Sequence, residues 1–317
     1  MQLYPVCIPT YKNRKCAILL EHVNEIEGPV YIFKYADDDY SNRDFGSNVI
    51  IVDITENDFK KYGLEWRGLA PKRRYIQEYM LERGIDVYFM LDDDVKVFEI
   101  NDGPQKQKSI SINDGLKIMQ EHFDPSYLGL TAIPKQNVKI YKGKKKLSEY
   151  FQHSCFIVNG KLAHELDIKF PTERNRCDDW PFSYYGFMKG ANTYKLNFLA
   201  ARTSPQKEKK GSTFTDSHRE MLFINDFLEF SDFFYLFLNK AGNLTGDPAF
   251  PFSMSSKLIN TFKIPKTQFQ KDLYELCKTK DVQAVKDFLK AHGSTSMDFN
   301  PKEIINKIKS NREITEW

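Results

Sequence analysis

Three consecutive carboxylates, Asp92, Asp93 and Asp94, end the apolar run Val87-Tyr88-Phe89-Met90-Leu91. Like charges side by side repel, so such a trio is favourable where a cation neutralises it. Carboxylate oxygens are hard ligands, and one or two of them at a strand end suit a divalent ion that also carries phosphates. An apolar run this short reads as a strand buried on both faces. Strand side chains alternate, which predicts Asp92 and Asp94 on one side and Asp93 on the other. The competing reading is a polar strand end that simply meets solvent.

Three further groups could do chemistry beside such an ion. Asp178 and Asp179 precede Trp180-Pro181, where a helix is expected to begin. Acids there complement the helix dipole, and a carboxylate at that position can also serve as general base toward an acceptor hydroxyl. Both readings stand. The run Lys207 to Arg219 holds Lys210, Gly211-Ser212-Thr213 and His218. Its lysines suit a loop closing over phosphates, and His218 is a candidate metal ligand, although a lone histidine is more often a packing or surface residue. Lys72, Arg73 and Arg74 open a helix; they either reach a pyrophosphate or lie solvated in its first turn.

The elements that must position these residues alternate strand and helix. Leu3 to Ile8, Val30 to Tyr35, Asn48 to Val52 and Val87 to Leu91 read as strands, with helices over about 13–23 and 71–83. Strands separated by helices predict a parallel sheet with right-handed crossovers, whose ligands bind beyond the carboxyl ends of the strands. The turn Pro9-Thr10-Tyr11, the run Asp37-Asp38-Asp39 and the trio Asp92–Asp94 then share one edge. Residues 101–110 read as a polar loop, 112–123 and 181–189 as helices, and 128–133 and 154–158 as strands. Phe223, Phe227, Phe230, Phe234 and Leu238 recur three or four apart, as on one buried helix face. Helices over about 268–277 and 282–292 follow.

Composition places the chain among globular proteins: 41% hydrophobic and 28% charged residues in 317, with net charge +3. That charge permits a polyanionic partner without demanding one. Five scattered cysteines without metal spacing suggest reduced thiols. The first residues lack signal-peptide character, and the most apolar stretch, 221–238, is interrupted by Asn225, Asp226, Glu229 and Asp232. No membrane partner and a cytoplasmic location are therefore expected, that of a host cell if the protein is encoded by a phage.

The ordered set Ile8-Pro9-Thr10-Tyr11-Lys12, Gly68 to Arg74, Tyr88 to Val95 and Cys177-Asp178-Asp179-Trp180 resembles GT-A glycosyltransferases of the family 2 type. Within them it most resembles the TET/JBP-associated glycosyltransferases of bacteriophages, which are thought to glycosylate 5-hydroxymethylpyrimidines in DNA. The resemblance implies an α/β GT-A fold, a Rossmann-like, mostly parallel central sheet flanked by helices. Residues 1–220 would form the catalytic domain, with 1–100 the nucleotide-sugar half and 101–220 the acceptor half. Residues 221–317 would form a helical carboxyl-terminal region. It implies a UDP-sugar donor and a Mn²⁺ or Mg²⁺ cofactor. Pro9, Thr10 and Tyr11 would hold base and ribose, an acid among Asp37 and Asp39 would read the base edge, and Lys72, Arg73 and Lys210 would clamp phosphate. Asp92 and Asp93 would contact the nucleotide, Asp94 would ligate the metal with help from Asp92 and His218, and Asp179 or Asp178 would be the base.

This sequence departs from the family pattern in having Arg73-Arg74 for Arg-Asn, Asp178-Asp179 for Glu-Asp and Gly211-Ser212 for paired glycines. The implied acceptor is DNA carrying 5-hydroxymethylcytosine or 5-hydroxymethyluracil, the former favoured, and Lys139, Lys142 and Lys144–Lys146 would meet its phosphates unless they form a solvated loop. The alternatives are a polysaccharide or other glycan acceptor, a nucleotidyltransferase, and a non-catalytic nucleic-acid-binding protein.

Overall fold

The computed structural model describes residues 2–12, 17–101, 107–135, 147–152, 154–173, 179–203, 216–231, 234–248 and 268–292. The chain divides into two compact units, one of residues 1–174 and 178–212, the other of 175–177 and 213–317.

In the first unit β1 (Val6–Pro9), β2 (Val30–Tyr35) and β3 (Val49–Ile54) are followed by α1 (Glu56–Lys61), α2 (Leu69–Glu82) and β4 (Val87–Leu91). Then come β5 (Val95–Asn101), β6 (Gln107–Ile110), α3 (Ile112–Glu121), β7 (Gly129–Lys135) and β8 (Leu147–Glu149). The unit continues through β9 (Cys155–Asn159), α4 (Gly160–Glu165), α5 (Asp179–Met188) and β10 (Thr193–Thr203). The sheet order is β3-β2-β1-β4-β9-β7-β10-β5-β6, with β8 also paired to β10. Strands β3, β2, β1 and β4 are parallel, and β7 runs parallel to β10. Strand β9 is antiparallel to both its neighbours, β4 and β7. The sheet is therefore mixed but mostly parallel, and it is flanked by helices.

Alternation explains the apolar runs. In β4, Val87, Phe89 and Leu91 face one core with Val6, Ile8 and Leu116, while Tyr88 and Met90 face the other with Cys7, Phe59 and Ile76. A strand buried on both faces must be apolar throughout, so its first charged residue marks where it leaves the sheet. Thr55 caps α1 in a capping box with Asp58, and Ser111 caps α3 through the Asp114 N–H.

Three expectations change. The helix expected over 13–23 is, in its described part, two short 3₁₀ turns, Ile18–Glu21 and Val23–Glu25. They bury Leu19, Leu20 and Val23 against the sheet. Part of the polar loop expected over 101–110 is β6. The long strand β10 was not expected; its polar residues are interspersed with buried Leu196, Leu199, Ala200 and Ala201.

The second unit holds α6 (Asp216–Phe230), the hairpin β11 (Phe234–Leu238) and β12 (Leu244–Pro248), α7 (Gln268–Lys278) and α8 (Val282–His292). Glu220 of α6 accepts the Leu244 N–H at 2.9 Å and the Lys286 ammonium at 2.8 Å, tying helix, hairpin and α8 together. The aromatic stripe ends as a helix at Phe230. Phe234 and Leu236 are buried two apart, the strand period, so Phe234 and Leu238 belong to β11. Among the described residues no helix is long and apolar enough to cross a membrane.

Candidate active site

Strands β1, β2 and β4 lie side by side and parallel, so their carboxyl ends present Pro9-Thr10-Tyr11, Asp37–Asp39 and Asp92–Asp94 along one edge. The acids do not prolong the strand. Residues 92–94 form a tight turn, closed by the Val95 N–H on the Asp92 carbonyl at 3.3 Å, and β5 departs from it. The alternation expected for Asp92, Asp93 and Asp94 therefore does not apply, because it holds only in extended backbone. Each carboxylate instead has its own environment.

Asp93 is buried, and its Oδ2 accepts the Thr10 hydroxyl at 2.7 Å; Thr10 Oγ1 also lies 2.9 Å from the Tyr40 hydroxyl. This bond joins the turn after β1 to the turn after β4. The Asp93 carbonyl accepts the Leu19 N–H at 3.0 Å. Asp92 pairs with Arg73, guanidinium to carboxylate, at 2.5 Å; the Arg73 side chain is 2% exposed and that of Asp92 25%. Arg73 also lies over Phe156, 5.3 Å from the ring centroid, and the Asp92 N–H donates to the Ser154 carbonyl at 2.7 Å. Asp94 is partly exposed. Burial, helped by the nearby Asp92 charge, pushes the Cys155 thiol up, so it stays protonated beneath the turn.

Lys72, Arg73 and Arg74 are all buried, so the solvated first turn is not what the structure shows. The Lys72 ammonium donates to the Thr10 carbonyl and sits 3.7 Å from the centroid of Tyr35. Arg74 pairs with Glu78. Gly68 starts α2 with φ 136, a conformation a side chain would oppose. It exchanges hydrogen bonds with the Tyr35 hydroxyl, donating its N–H at 2.9 Å and accepting at 3.3 Å. Burial pushes the Tyr35 phenol up, which keeps it neutral for that role.

Arg67 adopts φ 67, lies over Tyr35 and Trp66, and pairs with Asp37. Burial alone would lower its pKa, but the Asp37 partnership leaves it raised. Asp38 is buried and accepts the Tyr35 N–H at 3.4 Å, while its carbonyl takes the Lys34 ammonium at 2.9 Å. Asp39 accepts the Ser41 N–H at 2.8 Å, which holds its carboxyl below the usual range. Tyr11 meets Tyr35 edge-on at 5.9 Å. Tyr35, Tyr40 and Arg67 were not singled out from sequence, whereas Gly68 opened the motif Gly68 to Arg74. Only Gly68, just ahead of a helix-opening Leu-Ala-Pro, carried a readable signal.

Asp179 opens α5 in this same unit. The helix is anchored by Phe182 stacked on Phe170 at 4.2 Å and by Ser183 Oγ, which accepts the Gln152 N–H at 2.9 Å. Trp180 and Tyr184 are buried and pack edge-on at 6.2 Å. Asp178, Lys210 and the lysines of 136–146 lie outside the described residues, as do the side chains of Asp179 and of His218, the latter in the second unit.

A divalent ion fits what is present. Asp92 and Asp94 offer hard oxygens from one turn, and Mg²⁺-like ions commonly take one or two carboxylates together with substrate phosphates. No three His, Cys, Asp or Glu side chains gather as a metal cage among the described residues.

A mixed, mostly parallel sheet flanked by helices, with acids beyond the carboxyl ends of its parallel strands, is an α/β fold whose ligand edge lies at those ends. Residues 4–211 match the model of the TET-associated glycosyltransferases, and the chain belongs to that family. It is a glycosyltransferase. No curated protein matches it. Among solved structures, S. aureus TarS (residues 1–349, in complex with UDP-GlcNAc) is similar at 12% identity and a TM-score of 0.48, over 92% of this chain and 91% of that one. GalNAc-T7 with UDP, GalNAc and Mn²⁺ is similar at 10% identity and a TM-score of 0.45, over 91% of this chain and 56% of that one.

Proposed function

We propose that this glycosyltransferase moves a sugar from a UDP-sugar to the hydroxymethyl group of a 5-hydroxymethylpyrimidine in DNA, with 5-hydroxymethylcytosine the favoured base. The observation that carries the donor half is the paired bracing of the acidic turn. Asp93 locks it to Thr10, and Arg73 fixes Asp92, so the remaining carboxylate oxygens are held in place before any ligand arrives. Preorganised charge of this kind is what diphosphate departure needs. The acceptor half is supported by membership of the TET-associated glycosyltransferases and by the motifs that resemble enzymes thought to glycosylate 5-hydroxymethylpyrimidines in DNA.

In this reading Pro9, Thr10 and Tyr11 hold the base and ribose, and Asp37 or Asp39 reads the base edge. Lys72 braces the Thr10 backbone, and together with Arg73 and Lys210 it sets the positive field around the phosphates. Asp92 and Asp94 would hold a divalent ion, which would supply charge neutralisation for the diphosphate when bound. The acceptor oxygen attacks the anomeric carbon as the bond from that carbon to the phosphate oxygen breaks. The hydroxyl proton passes to the carboxylate of Asp179, with Asp178 its alternate, and UDP leaves. One displacement inverts the anomeric centre. The 5-substituent lies in the major groove, so the base is met there or flipped from the stack. Residues 1–220 would carry this chemistry, in donor and acceptor halves, and 221–317 would be an appended region.

The test is incubation of the protein with a panel of nucleotide sugars and hydroxymethylated duplex, followed by mass spectrometry of the nucleosides. A gain of one sugar on the hydroxymethyl nucleoside, with a UDP-sugar as donor, is expected. Transfer to free glycans with DNA left unmodified would overturn the acceptor. Consumption of nucleoside triphosphates in place of nucleotide sugars would overturn the donor.

A further inference from the structure

Strand β3 closes one end of the sheet, and its outer edge pairs with no described strand. Edge strands are usually guarded by lysine, proline, a bulge or extreme shortness. Strand β3 has none of these. Its sequence is Val-Ile-Ile-Val-Asp-Ile, and all six residues stay in unbroken register with β2. Ile50 and Ile51 are each 42% exposed; with Leu69 they are the exposed large hydrophobics among the described residues. They point to opposite faces of the sheet, so both faces are apolar at this edge. The one charge, Asp53, is held by Lys34 at 2.5 Å.

The backbone is equally open. The Asn48 and Ile54 carbonyls accept from the Val30 and Ala36 N–H groups of the β2 side, both at 2.9 Å. Backbone groups alternate in direction along a strand, so even-numbered residues of β3 serve β2 and odd-numbered ones face outward. Ile51 and Asp53 therefore present both N–H and C=O to the outside, and Val49 its C=O, the Val49 N–H being used by the Gly46 carbonyl at 3.0 Å.

We propose that β3 is a homodimerisation edge, on which the β3 of a second copy pairs antiparallel about Ile51 to continue the sheet. A two-fold axis perpendicular to a sheet reverses strand direction, so a closed pair of identical edges must be antiparallel and centred on a single residue. Centring on Ile51 lets the two Ile51 residues exchange both backbone bonds. Each Asp53 N–H then meets the Val49 carbonyl of the other copy, the acceptor that the Gly46 turn leaves open. Ile51 packs on its own copy, and Ile50 packs on Val52. The two Asp53 side chains end up four residues apart, about 13 Å at a strand's rise and beyond the screening length of about 8 Å, so charge does not oppose the contact. A second copy thus satisfies the outward N–H groups of Ile51 and Asp53 and the carbonyls of Ile51 and Val49, leaving the Asp53 carbonyl to solvent. A contact of one strand falls below about 1,200 Å², in the range of weak and reversible association.

The test is sedimentation of the full chain from about 1 to about 500 μM, with hydrogen exchange measured at both ends of the range. The expected result is reversible growth from monomer to dimer, with the Ile51 and Asp53 amides becoming protected only at high concentration. Ile51→Lys and Ile51→Pro should each abolish the dimer. The proline removes only an outward N–H, so the β2 ladder and the thermal melting temperature of the monomer should persist, as should glycosyl transfer per chain. A chain that stays monomeric throughout, dimers that survive both variants, or Ile51 and Asp53 amides whose exchange ignores concentration would each overturn the proposal.

Discussion

Breaking the Arg73–Asp92 pair should destabilise the fold by very different amounts depending on which partner is removed. Its two ends differ in exposure: the guanidinium side chain is 2% exposed and the carboxylate side chain 25%. Asp92→Ala removes the carboxylate paired with a cation whose side chain is 2% exposed, and removing one partner of a buried pair costs about 3–5 kcal/mol. Arg73→Met leaves instead a carboxylate that already touches water, and it retains an unbranched apolar stem against Phe156. The loss should then lie between the values for buried and exposed pairs, about 1–2 kcal/mol. Urea unfolding in the presence of a chelator measures both, free of any contribution from bound cations. The double variant should be no less stable than Asp92→Ala, because the buried cation is removed along with its carboxylate. Equal losses, or a larger loss for Arg73→Met, would refute the claim that Arg73 is a buried brace for Asp92.

Three further outcomes follow from the same geometry. Asp179→Asn should reduce the transfer rate by about 10²–10⁴-fold while leaving UDP affinity unchanged, measured by steady-state kinetics beside calorimetry. An equal fall in Asp178→Asn alone would move the base by one residue. Thr10→Val removes the hydroxyl that Asp93 accepts, and a hydrogen bond to a buried carboxylate contributes about 1.5–3 kcal/mol, so its urea midpoint should fall accordingly. An unchanged midpoint would show that the Thr10–Asp93 bond does not brace the turn. Buried thiols and phenols set the alkaline limit together: burial pushes Cys277 from an ordinary 9.0 up to about 12, with Lys280 opposing, and raises Cys7, Cys155, Tyr35, Tyr75 and Tyr88 as well. A raised pKa means the folded state keeps a proton that the unfolded state has lost. Stability should therefore be intact below pH 9 and fall toward pH 12, by about 1.4 kcal/mol per pH unit for each group above its ordinary pKa, and unfolding across that range would show it.

Much of the donor half was legible because burial on both faces forces continuous apolar runs. Val30–Tyr35 and Val87–Leu91 were readable to the residue, and α8 likewise through its apolar spacing. The acids were legible as a cluster but not as a turn, because the chain turns there to carry β5 to a different place in the sheet, beside β10, which Asp92 itself does not signal. Strand β10 was obscured by Lys195, Asn197 and Arg202 among its apolar positions, since a strand crossing between two sets of neighbours is not buried uniformly. Phe234 and Leu238 were assigned to a helix because spacing of four fits both periods, and only Leu236, buried between them, separates the two. Tyr40 and Arg67 gave no signal: each joins the site through the fold, Tyr40 by reaching Thr10 and Arg67 by reaching Asp37.

The central claim is that the turn Asp92–Asp94 receives a divalent ion and the diphosphate of the donor together. Calorimetric titration of UDP into the protein, with and without Mn²⁺, tests it without requiring turnover. Tightening of about tenfold or more with Mn²⁺, about 1.4 kcal/mol, is expected for the native chain and should be lost in Asp94→Asn. UDP affinity indifferent to Mn²⁺, or tightening that persists in Asp94→Asn, would contradict it.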